Sequence, residues 1–410
     1  MAIARNLKTI RRFSPLLSFL PKQYVSYLLR KMQNEKPHPF GNQIHINSFF
    51  PPYPSKAFNR FVKAVLERQR VPFSTYLAIT DACPFRCPHC SYAGRPRKSM
   101  DHAQLMSMIQ QIKDIGTCTL GITGGEPLLR EDLPELVAAA GPQMATVVFT
   151  TGWGLTASRA KELHDAKITC VTIGMENTNP AIHDKVRGKD GSFAAARKAV
   201  DLLNEAGVYT ALSTVGFREK MNSGELERIY QTAKEWGCHE MRILPPVATG
   251  ALNDASAMLT AEEMQRLADF HIEHNKLPDG PSIACFAWLE SREMFGCGAG
   301  YHHLYIDAAG EVCPCDLTPL TFGNALQEGL APIWQRMGER FSGPLCSCLM
   351  GRLRRAGKFP QNPTAFPLPR EISEAMVPPR DPAEPLPSAY TWMTEAKQQE
   401  LPISDFRFPI

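Results

Sequence analysis

From residue 71 to residue 285 the chain alternates two hydrophobic patterns. Short, nearly continuous apolar runs are separated by longer stretches whose apolar positions recur every three to four residues. The short runs predict strands at Ser74–Ile79, Thr119–Ile122, Thr146–Thr150, Thr169–Gly174, Tyr209–Thr214 and Glu240–Ile243. The longer stretches predict helices at His102–Ile115, Leu133–Ala140, Ala157–Asp165, Phe193–Ala206 and Ser223–Trp236. Strands that lack polar alternation are buried on both faces, as in a parallel sheet. Six β/α units joined by right-handed crossovers roll into a partial (β/α)6 barrel of the α/β class. Functional groups in such folds gather at the carboxyl ends of the strands.

The flanks read differently. Residues 1–36 carry eight Lys/Arg against one acid, Glu35, with apolar residues near helical spacing. Pro15, Pro21 and Lys22 break the apolar run after Arg11-Arg12, so it is no export signal, and it is far short of the ~20 apolar residues that span a bilayer. A basic amphipathic helix on an anionic membrane surface and a helix packed on the protein both fit this stretch. A Pro/aromatic linker follows at 37–55, then a helix over Lys56–Arg70. The expected divisions are 1–70, a core at 71–285, a cysteine-rich extension at 286–355 and a tail at 356–410. Eleven prolines between Lys358 and Ile410 predict a tail with few regular elements, draped over the barrel.

A net charge of +4 over 410 residues does not argue nucleic-acid binding. Twelve cysteines are many for a chain with no sign of an oxidising compartment, and short spacings point to metal or cluster ligation rather than disulfides. A cytoplasmic location is expected, with membrane association through residues 1–36 as the alternative.

The chemistry concentrates after the first two strands. Thr80 to Tyr92 reads TDACPFRCPHCSY, placing Cys83, Cys87 and Cys90 in a C-x3-C-x2-C array. Three thiolates hold three corners of an iron–sulfur cube and leave one iron open; four would saturate it. A zinc site lacking its fourth ligand is the plainer reading, although structural zinc sites usually show paired C-x2-C knuckles. After the second strand comes Thr123-Gly124-Gly125-Glu126-Pro127. Its glycines permit close backbone approach, and its carbonyls can accept from an ammonium group.

These two loops together resemble the radical S-adenosylmethionine (SAM) superfamily over roughly Ser74 to Ile243. The resemblance implies a [4Fe–4S] cluster on Cys83, Cys87 and Cys90 whose open iron chelates SAM. It implies reductive cleavage of SAM to a 5′-deoxyadenosyl radical, fed by an external reductant such as flavodoxin or ferredoxin. It also implies that His89 touches the adenine and that Gly124, Gly125, Glu126 and Pro127 hold the methionyl amine. Thr150-Thr151-Gly152 stands where relatives carry a T-N-G type loop. His183-Asp184-Lys185-Val186-Arg187-Gly188 matches an H-D-x-x-R-G motif, whereas Gly174-Met175-Glu176-Asn177 departs from the usual turn before it. By the same resemblance Glu176, Arg187 and Ser213 become SAM contacts. Thr214, Arg242 and Pro245 are further residues of the same mouth.

Further on, Cys297, Gly310 and Cys315 form C-x12-G-x4-C around a hairpin predicted at Tyr305–Val312, and Cys346 and Cys348 close the set. This resembles the SPASM/twitch extension with one auxiliary [4Fe–4S] cluster. The resemblance assigns Cys297, Cys315, Cys346 and Cys348 as ligands, with Cys313 in reserve. A four-thiolate zinc knuckle is the alternative. The substrate stays open between a peptide or protein, a small biosynthetic intermediate, and a lipid. A non-catalytic electron carrier would not need the glycine loop.

Overall fold

The computed structural model describes residues 29–67, 69–360, 363 and 366–395. Most of the basic stretch at 1–36 therefore lies outside the described residues.

Strands β1 (His38–Phe40) and β2 (Gln43–His45) form a small antiparallel hairpin. The core strands are β3 (Ser74–Ala78), β4 (Thr119–Thr123), β5 (Ala145–Thr150), β6 (Cys170–Gly174), β7 (Thr210–Val215) and β8 (Glu240–Leu244). They pair in sequence order and in parallel, with a helix between successive strands. Each lies within a residue or so of its expected span. The first helix after the linker ends at Leu66 rather than Arg70.

Two strands extend the six-unit expectation. β9 (Ser282–Cys285) adds in parallel beside β8, and β10 (His303–Ile306) adds in parallel on the opposite edge, beside β3. β11 (Val312–Cys313) then folds back antiparallel on β10, closing the hairpin expected around Gly310, whose φ is +89°. The first strand of the cysteine-rich extension thus continues the core sheet. A four-residue run such as SIAC is too short to stand out by pattern alone.

One face of the sheet packs on helices. Leu77, Ile122, Val148, Ile173, Leu212 and Ile243 meet Leu105, Ile109, Leu136, Leu163, Val200 and Ile229 in a single buried cluster. The other face is more polar and aromatic. Arg242 is 2% exposed, donates to the Tyr76 hydroxyl at 2.7 Å and to Ser48 Oγ at 3.2 Å, and lies 4.1 Å over the Phe286 ring. Gly121 makes room for Tyr76, because a Cβ there would stand 2.3 Å from its ring. Near β1, Phe40 and His45 pack on Tyr209, with the His45 and Tyr209 rings stacked 4.2 Å apart.

The proline-rich tail is more regular than its composition suggests. Helices form at Arg370–Met376 and Ser388–Glu395. Pro369 and Pro387 stand just ahead of them, where a missing N–H breaks no helical hydrogen bond. The tail also reaches the exit of the cysteine loop: Phe366 N donates to Gly94 O at 3.1 Å. No helix among the described residues is long and apolar enough to cross a membrane.

Candidate active site

The cysteine loop leaves the carboxyl end of β3 and is held on three sides. Gly125 N donates to Thr80 O at 2.7 Å, and Glu126 N donates to Ala82 O at 2.8 Å. A Cβ on Gly124 would lie 2.3 Å from Thr80 O, and one on Gly125 would lie 2.1 Å from Ala82 O. The two glycines therefore let the second loop seat directly on the backbone of the first. On another side Arg86 N donates to Arg187 O at 3.0 Å. On the third, Ala251 N donates to Cys90 O at 2.9 Å, and a Cβ on Gly250 would meet that carbonyl at 2.2 Å.

Cys83 is exposed, and Cys87 and Cys90 are half-buried, so the triplet is open to solvent. Burial pushes the Cys83 thiol up to about 11. It pushes Cys87 up as well, against the pull of Arg187, whose Nη1 lies 3.6 Å from the sulfur. Three thiols on one short loop at a strand's carboxyl end suit a cluster with one open iron.

The Glu126 carboxylate is fully buried. It accepts from Leu128 N at 3.0 Å, Thr151 N at 2.8 Å, Thr151 Oγ1 at 2.6 Å and the Thr150 hydroxyl. It thereby ties the loop after β4 to Thr150-Thr151-Gly152 after β5, and Pro127 opens a short turn at Pro127–Leu129.

Glu176, 4% exposed, sits after β6 among three basic side chains. His89 Nε2 lies 3.1 Å and Arg187 Nη2 3.0 Å from its Oε1, and Lys220 Nζ lies 3.4 Å from its Oε2. Burial alone would raise its carboxyl, but Arg187, His89 and Lys220 outweigh burial and hold it well below the usual carboxylate range. Arg187 passes directly over Gly174, where a Cβ would stand 1.9 Å from Nη2. Ser213 pairs in register with Gly174 and is half-buried, and its carbonyl accepts Met175 N at 2.7 Å. Lys220 also donates to Thr214 Oγ1 at 2.7 Å. The sequence singled out neither Lys220 nor Gly250.

A second group of thiols gathers beside β10. Cys297 is buried, and Cys315 and Cys348 are half-buried against the same core. Burial raises all three thiols. Cys348 and Glu290 push Cys297 further; Asp316, Cys297 and Glu290 push Cys315; Glu290 pushes Cys348. His303, Cys315 and Asp316 place their ligand atoms within 4.8 Å of one another. Asp316 Oδ1 lies 3.2 Å from His303 Nε2 and accepts from Cys315 Sγ at 3.4 Å.

Two cysteines stand apart. Cys346 Sγ donates to Pro385 O at 3.3 Å, and the charges around it belong to Arg292, Glu384, Arg380 and Arg352. Cys313 is buried against Arg95, whose Nη1 lies 3.6 Å from its sulfur. Cys118, Cys170, Cys238 and Cys285 are buried in the core, as ordinary apolar thiols.

Comparison with known proteins agrees with this geometry. Residues 77–233 match the radical SAM superfamily, and residues 297–349 match the SPASM iron–sulfur cluster-binding domain. The chain belongs to the radical SAM superfamily, among the enzymes that carry a SPASM domain. It is 27% identical over 285 residues to a PqqA peptide cyclase of Xanthomonas campestris, covering 66% of this chain and 75% of that one. It is also 27% identical over 305 residues to a GTP 3′,8-cyclase of Acidothermus cellulolyticus, covering 65% and 84%. Among solved structures, Streptococcus suis SuiB bound to its precursor peptide SuiA shares the fold, with a TM-score of 0.55, 17% identity and 67% of each chain covered. The enzyme uses SAM, a [4Fe–4S] cluster and auxiliary iron–sulfur chemistry, and it acts by SAM-dependent hydrogen abstraction.

Proposed function

We propose that this enzyme modifies a side chain of a peptide or protein. The observation that carries the reading is the similarity to PqqA peptide cyclase, which covers 66% of this chain; the fold shared with peptide-bound SuiB supports it. When bound, the cluster and SAM supply a 5′-deoxyadenosyl radical that takes a hydrogen atom from substrate.

The remaining work falls to this chain's own residues. Cys83, Cys87 and Cys90 hold the SAM-binding cluster. Backbone carbonyls of Gly124, Gly125, Glu126 and Pro127 receive the methionyl amine, on a loop that the Glu126 carboxylate pins to Thr150 and Thr151. His89, Arg187 and Lys220 fix Glu176, and with Ser213 they frame the space for the nucleoside end. The half-buried rings of Tyr76, Phe149 and Phe286, packed around the buried Arg242, offer an aromatic floor to an incoming side chain. The core at 71–285 and the extension at 286–355 act as one body through the shared sheet. A soluble flavodoxin or ferredoxin supplies the electron.

The match to GTP 3′,8-cyclase favours a second reading, a small biosynthetic intermediate. The two separate by experiment. Cluster-loaded, reduced enzyme is incubated with SAM and either the peptide fraction or the small-metabolite fraction of its source cells. The peptide reading expects 5′-deoxyadenosine release to rise with peptides, which lose hydrogen by mass spectrometry. A rise with small metabolites alone overturns it.

A further inference from the structure

We propose that His303 completes the auxiliary cluster, its Nε2 taking the fourth iron beside Cys297, Cys315 and Cys348. Backbone pairing gathers these four residues. Cys297 N donates to Leu345 O at 2.8 Å and Leu345 N returns a bond to Cys297 O at 3.1 Å, which brings Cys348 in three residues further on. Gly300 N donates to both His303 O at 3.0 Å and Pro314 O at 2.9 Å, so the turn after Cys297 seats His303 and Cys315 side by side. Leu317 N already donates to the Cys315 sulfur at 3.4 Å, the kind of amide bond that supports a cluster thiolate. Among the described residues, His303, Cys315 and Asp316 are the one group of metal-ligating side chains whose donor atoms converge, all within 4.8 Å.

The His303 ring is aimed from its far side. Ser74, its register partner on β3, places Oγ 2.8 Å from Nδ1, and the Tyr76 ring packs edge-on at 4.7 Å. A hydrogen bond at one ring nitrogen fixes the tautomer and presents the other nitrogen to a metal. That other nitrogen, Nε2, lies 3.2 Å from Asp316 Oδ1, which in turn accepts from Cys315 Sγ at 3.4 Å. An oxygen so close to the Cys315 sulfur would share its iron, and each iron of a cube takes one protein ligand; His303, from a separate strand, reaches a different corner. The two remaining cysteines of the extension face elsewhere: Cys346 Sγ donates to Pro385 O at 3.3 Å, and the Cys313 sulfur lies 3.6 Å from Arg95 Nη1. Imidazole is neutral where thiolate is anionic, so a histidine corner raises the potential of the cluster.

The test isolates this cluster. The full chain carrying Cys83→Ala, Cys87→Ala and Cys90→Ala is reconstituted anaerobically with iron and sulfide, and it should hold about four irons. Pulsed electron paramagnetic resonance of the reduced protein should show one histidine nitrogen bonded to the cluster, identified by its change on labelling with 15N-histidine. Adding His303→Gln should abolish that coupling. His303→Cys should also abolish it while keeping about four irons and lowering the midpoint potential. No bonded nitrogen in the parent, or one that survives both substitutions, overturns the assignment, as does loss of the fourth iron in Cys346→Ala. A parent that takes up no iron overturns the auxiliary-cluster reading and the role of His303 with it.

Discussion

Arg95 Nη1 lies 3.1 Å from Asp307 Oδ2 with both side chains fully buried. Arg95 follows the cysteine loop, and Asp307 begins the turn between β10 and β11, so one ion pair joins the radical core to the hairpin of the second cysteine group. The guanidinium also lies 4.9 Å from the Tyr305 ring, and Met100 N donates to Ala308 O at 2.9 Å beside it.

Removing one member of a buried pair leaves the other charged and unpaired, at a cost of about 3–5 kcal/mol. Arg95→Met should lower stability to denaturant by that order. The double variant Arg95→Met, Asp307→Asn should recover most of the loss, since no buried charge is then left over and Oδ1 still accepts from Ala309 N and Glu311 N. An unchanged midpoint in Arg95→Met would show that the pair does not join the two parts.

Gly125 has no room for a side chain, because the atom a Cβ would strike, 2.1 Å away, is the backbone oxygen of Ala82. Gly125→Ala must therefore displace the cysteine loop. The expected result is loss of the iron held by Cys83, Cys87 and Cys90, with helix content unchanged by circular dichroism. Full iron loading together with normal SAM binding would contradict this seating.

Glu176 pairs with two cations from separate elements, Arg187 and Lys220, and lies 3.1 Å from His89 Nε2. Glu176→Gln keeps its shape but strips that charge, leaving Arg187 and Lys220 without their acid. SAM affinity of the cluster-loaded enzyme should fall about tenfold or more, equivalent to about 1.4 kcal/mol. Equilibrium dialysis against labelled SAM measures it, and equal affinity would remove Glu176 from the SAM site.

Burial lowers the His45 imidazole to about 3, with the charges of His239 and His38 acting in the same direction. A histidine so depressed is neutral in the folded chain and protonates on unfolding. Its contribution to stability is present above the unfolded value near 6.5 and is lost as pH falls from there toward 3, by up to about 1.4 kcal/mol per pH unit. His45→Phe keeps the stack on Tyr209 and removes the proton site. Denaturant titrations at pH 7 and pH 5 should show a smaller acid loss in the variant than in the unaltered protein. Equal losses would contradict the assignment.

The sequence made the barrel legible because each strand is a short apolar run bounded by turn residues, and the cysteine loop legible because its spacing is local. What it did not show depends on partners far along the chain. Lys220 reaches Glu176 across 44 positions, and Arg95 reaches Asp307 across 212. The C-x-C pair gives no sign of which sulfur turns inward. Cys348 meets the other thiols as it opens the helix Leu349–Arg355, while Cys346 meets Pro385, 39 residues away. The glycine loop could be read as a ligand cradle, but that its glycines first serve contact with Thr80 and Ala82 required coordinates.

The central claim is that the loop of Cys83, Cys87 and Cys90 makes this chain a SAM-cleaving radical enzyme. Quantifying 5′-deoxyadenosine after adding reductant and SAM to anaerobically reconstituted protein tests it most directly. The unaltered chain should release 5′-deoxyadenosine, and Cys87→Ala, still holding its auxiliary cluster, should release none. Failure of the unaltered, fully loaded chain to release it, or equal release by Cys87→Ala, would contradict the account.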